Sequence, residues 1–251
     1  MANSQTGESM VDRIVRVLAT FSDERRAQSS AEIGRRAGLP PSTAHRIVDD
    51  LIAAGLLERD ARQRVTLGMR LWELAQRGSR ALRLREAALP AMEQVQLRIR
   101  EHTQLAVLEN DEALFIERLS DPHAGLNVTR VAGRLPLHAS SSGLVLLAHA
   151  PRVVVDRVLG RPLAAMTELT VTDPARLRAQ LETIRARDVV VSPGTVSTVS
   201  TGVAVPVRDR GTVVAALSVV LPRDSGRENQ AVEVLSAAAT AISAALAAPP
   251  R

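Results

Sequence analysis

Two short stretches of this chain combine residue types that could do chemistry. The first, 138-HASSSG-143, sets His138 two residues before Ser140 and continues through Ser141 and Ser142 to Gly143. A His close to a Ser suggests a general base and a nucleophile. The rest of that chemistry is missing: there is no Gly-x-Ser-x-Gly elbow, and no acid is placed to orient the imidazole. The stronger reading gathers hydroxyls and backbone N–H groups at the start of a helix over 143–149, an arrangement that holds a carboxylate. A capped helix that binds nothing reads the same way. The second stretch is 39-LPPSTAHRIVDDL-51, with Ser42, Thr43, His45 and Arg46 at the front of a run of helix-spaced apolar residues. Ser and Thr bond phosphates or bases, and Arg forks a guanine edge. A Ser-Thr pair at a helix start is, by itself, more often only a cap.

The elements around the second stretch decide between these readings. Apolar residues at Met10, Ile14, Val17, Leu18 and Phe21 mark a first helix. Ser29 and Glu32 have capping-box spacing and open a second, which Gly38 stops. The third carries Ala44, Ile47, Val48 and Leu51 on one face, and Gly55 closes it. Two helices crossing over a short turn need a residue tolerant of positive φ and a small residue four positions earlier; Gly38 and Gly34 supply them. Ile33, Ala37, Leu39, Ala44 and Ile47 fill the wedge, which makes a helix-turn-helix. Its third helix presents Ser42, Thr43, His45 and Arg46 at the end that enters a major groove. Asp49 and Asp50 would repel phosphates, so they are expected to turn away or to pair with Arg46 at helical spacing. The stretch 56–68 reads as a hairpin placed like a wing, with Arg59, Arg62 and Arg64 toward DNA.

All 32 cationic side chains are Arg, and the net charge is +5. The excess sits in residues 69–100, seven Arg against three acids. Aromatic content is 1%, so base stacking on single strands is excluded. The absence of Cys excludes disulfides and thiolate chemistry, and the five His (45, 102, 123, 138, 149) show no ligand spacing, so neither metal nor cofactor is expected. The first nine residues read as a disordered tail without a signal-peptide core, and no apolar run reaches the ~18 residues of a membrane span. The expected location is the cytoplasm, with no membrane partner.

Residues 69–88 return to helical spacing, weakened at Gly78, and Pro90 suggests a break or the start of a further helix over 90–101. Beyond 103 the pattern becomes α+β. Strand-like TQLAVLE and ALFIERL flank Asn110-Asp111, NVTRV reads as another strand, and helices follow at 143–149, 151–159 and 174–187. The strands DVVVS, GVAVPV and TVVAALSVV and a helix over 227–247 complete an antiparallel domain.

The segment 31–60 with TLGMRLWELA resembles the N-terminal domain of IclR-type bacterial transcriptional regulators. The stretches 133-GRLPLHASSSGLVLLAHA-150 and 202-GVAVPVRDRGTVVAALSVVLP-222 resemble that family's second domain, so the likeness spans about residues 10–247. It implies a winged helix over 10–68 that dimerises partly through its first helix, a linker helix over 69–85, and a GAF-like effector-binding domain over 86–251. It further implies a dimer or tetramer on a double-stranded operator, released or retained by a small metabolite; the expected output is repression of a metabolic or catabolic operon. By this likeness the pocket walls come from Ser140, Ser141, Ser142 and Gly143, from the loop around Ser192 and Gly202, and from Ser218. Two departures stand out: Leu144 replaces a frequent Lys, and 192-SPGTVSTVST-201 has no acid. A nearly neutral, hydroxyl-lined pocket follows, suited to a partly apolar effector rather than a small, highly charged acid. Two other classes remain open at this level: a DNA-binding regulator without ligand control, and a small-molecule-binding or catalytic protein whose winged helix contacts only protein.

Overall fold

The structure, a computed structural model, describes residues 8–77, 79–125 and 127–248. It divides into two compact units, Met1–Ser79 and Arg80–Arg251.

Local capping fixes the helix starts of the first unit. Helix α1 (Met10–Leu18) begins at Ser9, which forms a capping box with Asp12. Ser9 is therefore part of a cap rather than of a tail, and Glu8 pairs with Arg16 at 2.9 Å; the rest of the expected tail, residues 1–7, lies outside the described residues. Helix α2 (Ser30–Ala37) begins with the Ser29–Glu32 box. The hydrogen bonds from the Ser29 backbone and hydroxyl hold the Glu32 carboxyl below its usual range, so the cap is charged at neutral pH. Gly38 ends α2 in the left-handed region, φ 62°. A Cβ on Gly34 would lie 2.8 Å from that of Ala44, so the small residue sets how closely α3 (Pro41–Ala53) crosses α2. Strands β1 (Leu57–Arg59) and β2 (Val65–Leu67) form the antiparallel hairpin, and Gln28 bridges to Val65 beside it. Val17, Ile33, Ala44, Ile47, Val48, Leu57 and Val65 close the core. Helix α4 (Met69–Gln76) buries none of its residues.

The second unit opens with α5 (Arg80–Ile99), which runs through Pro90. The expected break at Pro90 does not occur. Leu84, Ala88, Met92, Val95 and Ile99 form one continuous buried stripe at helical spacing, and its packing outweighs the missing backbone donor. The expected helix over 69–88 is instead shared between α4 and α5; Gly78, read as its weak point, lies outside the described residues.

Strands β3 (His102–Glu109), β4 (Glu112–Leu119) and β5 (Arg134–Pro136) are followed by α6 (Ser141–Ala148), α7 (Arg152–Leu159) and α8 (Pro174–Arg187). Then come β6 (Val190–Pro193), β7 (Ser200–Asp209), β8 (Thr212–Pro222) and α9 (Glu228–Ala247). The six strands order as β5-β4-β3-β8-β7-β6, every neighbour antiparallel. The expected strand NVTRV does not form, because the Asn127 carboxamide takes the Thr129 N–H at 3.0 Å and curls the segment. One sheet face packs on α5 and α9 through Val203, Val205, Leu217 and Val219. The other packs beneath α6, α7 and α8 through Ala106, Phe115, Val190, Ala204 and Ala216. Helix α9, 20 residues, is by length and composition long and apolar enough to cross a membrane, where the sequence led us to expect no such span. Its Ala231, Leu235, Ala239 and Ile242 are buried in the core of this unit.

Candidate functional site

On α3 the face away from the core is polar and largely exposed. Pro40 is the residue before the helix and Pro41 its first, so neither Ser42 nor Thr43 serves as the cap. Their hydroxyls have no partner among the described residues, and Ser42 is exposed. The first N–H groups of α3 therefore face solvent with a positive helix end behind them. His45 Nδ1 lies 2.8 Å from the Pro41 carbonyl oxygen, which fixes the ring against the helix. Arg46 is exposed and has no hydrogen bond or ion pair among the described residues. Of the two arrangements expected for Asp49 and Asp50, turning away or pairing with Arg46, the pairing does not form among the described residues. Asp49 instead takes Arg59 Nη2 at 3.1 Å, tying the third helix to the wing.

That pairing separates the wing arginines. Arg59 is held by Asp49 and by the Gln63 carbonyl oxygen at 3.3 Å. Arg64 donates to the Ala27 carbonyl oxygen and lies 3.6 Å from the Glu32 carboxylate. Arg62, in the turn between the strands, is exposed and its guanidinium has no partner among the described residues. Asp60 orders this turn by accepting the Arg62 and Arg64 N–H groups, each at 2.8 Å.

In the second unit a cavity of about 470 Å³, its mouth included, opens at the front of α6. Directly opposed residues of a sheet share a face. Ser192 opposes Gly202, Gly202 opposes Val220, and Gln104 opposes Ser218, which places a polar stripe on the face that is otherwise apolar beneath α6. Ser140 caps α6, accepting the Gly143 N–H at 3.1 Å. The N–H groups of Ser141 and Ser142 have no partner among the described residues. Gly202 makes room for this end: a Cβ there would lie 2.5 Å from Ser141 Oγ.

Of the residues singled out from sequence, Ser140, Ser141, Ser142, Ser192 and Gly202 line the cavity. Gly143 and Ser218 stand behind it. A Cβ on Gly143 would lie 2.6 Å from Leu137 Cα, so this glycine allows α6 to meet the preceding segment. Ser218 is 1% exposed and accepts the Ser142 hydroxyl at 2.8 Å. His138 donates through Nε2 to the Ala164 carbonyl oxygen at 2.9 Å, so its ring anchors a loop rather than facing Ser140.

The remaining walls escaped the sequence reading. Gln104 donates to Thr129 Oγ1, which donates to Asn127 Oδ1 at 2.8 Å. Phe115, Val128, Leu135 and Val220 supply the apolar walls. Thr195, Val196, Ser197 and Ser200 close the far side. The signal for Gln104 was present: a carboxamide at an inward position of an apolar strand marks a sheet face that is not sealed. No charged residue lines the cavity among the described residues. Two buried polar side-chain atoms of the cavity lining have no partner among the described residues, Ser192 Oγ and Asn127 Nδ2. An unpaired buried polar atom destabilises by about 1–3 kcal/mol, which a hydrogen-bonding ligand would relieve.

Comparisons with known proteins agree on both units. Residues 10–61 match the IclR helix-turn-helix domain, and residues 78–244 match the C-terminal domain of the bacterial transcriptional regulator IclR. The chain is similar to the crystal structure of an IclR homolog from Microbacterium hydrocarbonoxydans complexed with 4-hydroxybenzoate. Identity is 55% and the TM-score 0.91, over 95% of this chain and 99% of that one. An IclR homolog from Microbacterium sp. strain HM58-2 is 53% identical with a TM-score of 0.65, over 97% of this chain and 100% of that one. The Pca regulon regulatory protein of Pseudomonas putida is 30% identical over 206 residues, 81% of this chain and 70% of that protein. With an exposed polar face on the third helix in one unit and a walled cavity in the other, the matches over both units lead to one conclusion: the chain belongs to the IclR family of bacterial transcriptional regulators, with a DNA-binding helix-turn-helix domain followed by an effector-binding domain.

Proposed function

We propose that this protein is a cytoplasmic repressor of a catabolic operon, and that its operator affinity is set by an aromatic monocarboxylate bound in the second-unit cavity. The observation that carries the ligand class is the lining: apolar walls around Phe115, hydroxyls, and no charged side chain among the described residues. The carboxylate is met by the free N–H groups of Ser141 and Ser142 at the start of α6. Ser192 Oγ and Asn127 Nδ2 bond the ligand's polar atoms. The homolog complexed with 4-hydroxybenzoate supports this choice of class.

Ser42, Thr43, His45 and Arg46 read or grip the operator, and Arg62 reaches its backbone from the wing. Arg59 and Arg64 set the wing's position. The protein acts as a homo-oligomer. Met10, Val11 and Val15 on α1 and Met69, Trp72 and Leu74 on α4 are exposed apolar side chains that suit contact with a second copy. In this arrangement α4 and the start of α5 form the link between the DNA-reading and effector-binding parts.

Gel shifts with DNA from upstream of its own gene test the DNA half; binding should weaken steeply as salt rises. Calorimetric titration with benzoate, 4-hydroxybenzoate and glyoxylate tests the ligand half. Tight binding of glyoxylate with none of the aromatic acids would reject the proposed ligand class.

A further inference from the structure

The cavity wall formed by residues 195–197 is shaped by a segment that never enters the cavity. Four backbone carbonyls of this loop are taken from outside. Thr167 Oγ1 donates to the Gly194 carbonyl oxygen at 2.6 Å, and Thr170 Oγ1 to that of Thr195 at 2.7 Å. Arg223 donates from Nη1 to the Thr198 oxygen at 3.1 Å and from its backbone N–H to the Val199 oxygen at 2.9 Å. With the carbonyls of Gly194 and Thr195 held on one side and those of Thr198 and Val199 on the other, and that of Ser197 taken by Ser200 within the loop, Thr195, Val196 and Ser197 line the cavity. The fit is close: Gly194 has φ +72°, and a Cβ there would lie 2.5 Å from Leu169 Cδ1.

Thr170 is the node of this arrangement. It is 8% exposed, and its one hydroxyl also accepts the Met166 and Thr167 N–H groups at 3.1 and 3.0 Å. The same segment is anchored at Ala164 by His138, two residues before the cap of α6. One irregular loop thus ties together two opposite walls of the cavity.

We propose that the 164–170 segment is a brace that sets the width of the effector cavity, with the Thr170 hydroxyl as a positioning residue for the ligand. This rests on the effector reading given above. The test compares Thr170→Val, which keeps the shape and loses the hydroxyl, with Thr170→Ser, which keeps the hydroxyl. Amide hydrogen exchange at 194–200 in the ligand-free protein reads the brace itself: Thr170→Val should speed exchange there and Thr170→Ser should not. Titration with 4-hydroxybenzoate reads the consequence. Thr170→Val should lose about tenfold in affinity, the scale of one buried hydrogen-bond node, and Thr170→Ser should stay within about threefold of the wild type. Unchanged exchange in Thr170→Val, or Thr170→Ser as weak as Thr170→Val, would overturn the brace. Failure of the wild type itself to bind any aromatic acid would instead overturn the effector reading, and with it Thr170's role toward a ligand.

Discussion

Helices α3 and α6 both start in hydroxyl-rich sequence, Pro40-Pro41-Ser42-Thr43 and Ser140-Ser141-Ser142, yet the structure uses the two starts in opposite ways. At α3 two prolines set the entry, and the hydroxyls are left free on an open surface. At α6 one serine caps the helix, a second donates to Ser218, and the surrounding sheet and loops enclose the end. The same helix-end field therefore faces an open surface in one unit and a walled cavity in the other. What a helix start recognises is set by the size of the space in front of it and by whether its hydroxyls are already engaged, not by composition alone.

The most damaging way to break this contrast is to disturb the close packing behind α6. Gly143→Ala should destabilise the second unit by about 3 kcal/mol in urea unfolding, since its Cβ would strike Leu137 backbone. Ser42→Ala with Thr43→Ala should leave stability within about 0.5 kcal/mol, because neither residue is a cap. Next in size is Arg46→Ala, which should weaken operator binding by about 1–3 kcal/mol in anisotropy titrations if the side chain reads a base. Aromatic-acid affinity should not change. Ser192→Ala should weaken 4-hydroxybenzoate binding by about 1 kcal/mol and leave DNA binding alone. Asp49→Asn is expected to be the smallest. Its exposed pair with Arg59 contributes at most about 1 kcal/mol to stability, but releasing Arg59 should steepen the salt dependence of DNA binding.

The two units also differ in how much of them was legible in the sequence. The first unit depends on local signals: capping boxes at Ser29, a glycine stop at Gly38 and a small residue at Gly34 all act within a few residues. The role of each wing arginine was not legible, because Asp49, Ala27 and Glu32, which hold Arg59 and Arg64, come from elsewhere in the chain. In the second unit β3, β4, β6, β7, β8 and most helices could be read from periodicity, whereas β5 was not expected and the expected NVTRV strand does not form. The run through Pro90 could not, since it depends on a buried stripe against a sheet formed later in the chain. The serines at 140–142 and the 192–202 loop stood out by composition and family likeness. Gln104, Phe115, Asn127 and Thr129 did not, because only the sheet register and the curled 127–129 segment bring them to the same space.

If the DNA-reading face and the cavity belong to one regulatory device, binding at one must change binding at the other by the same factor. The direct measurement is a pair of titrations on the full chain: upstream DNA with and without saturating 4-hydroxybenzoate, and 4-hydroxybenzoate with and without saturating DNA. The account predicts that the ligand weakens DNA binding about fivefold or more, and that DNA weakens ligand binding by the same factor, within the usual range of coupling energies. Tight binding of both with each affinity unchanged by the other would contradict it.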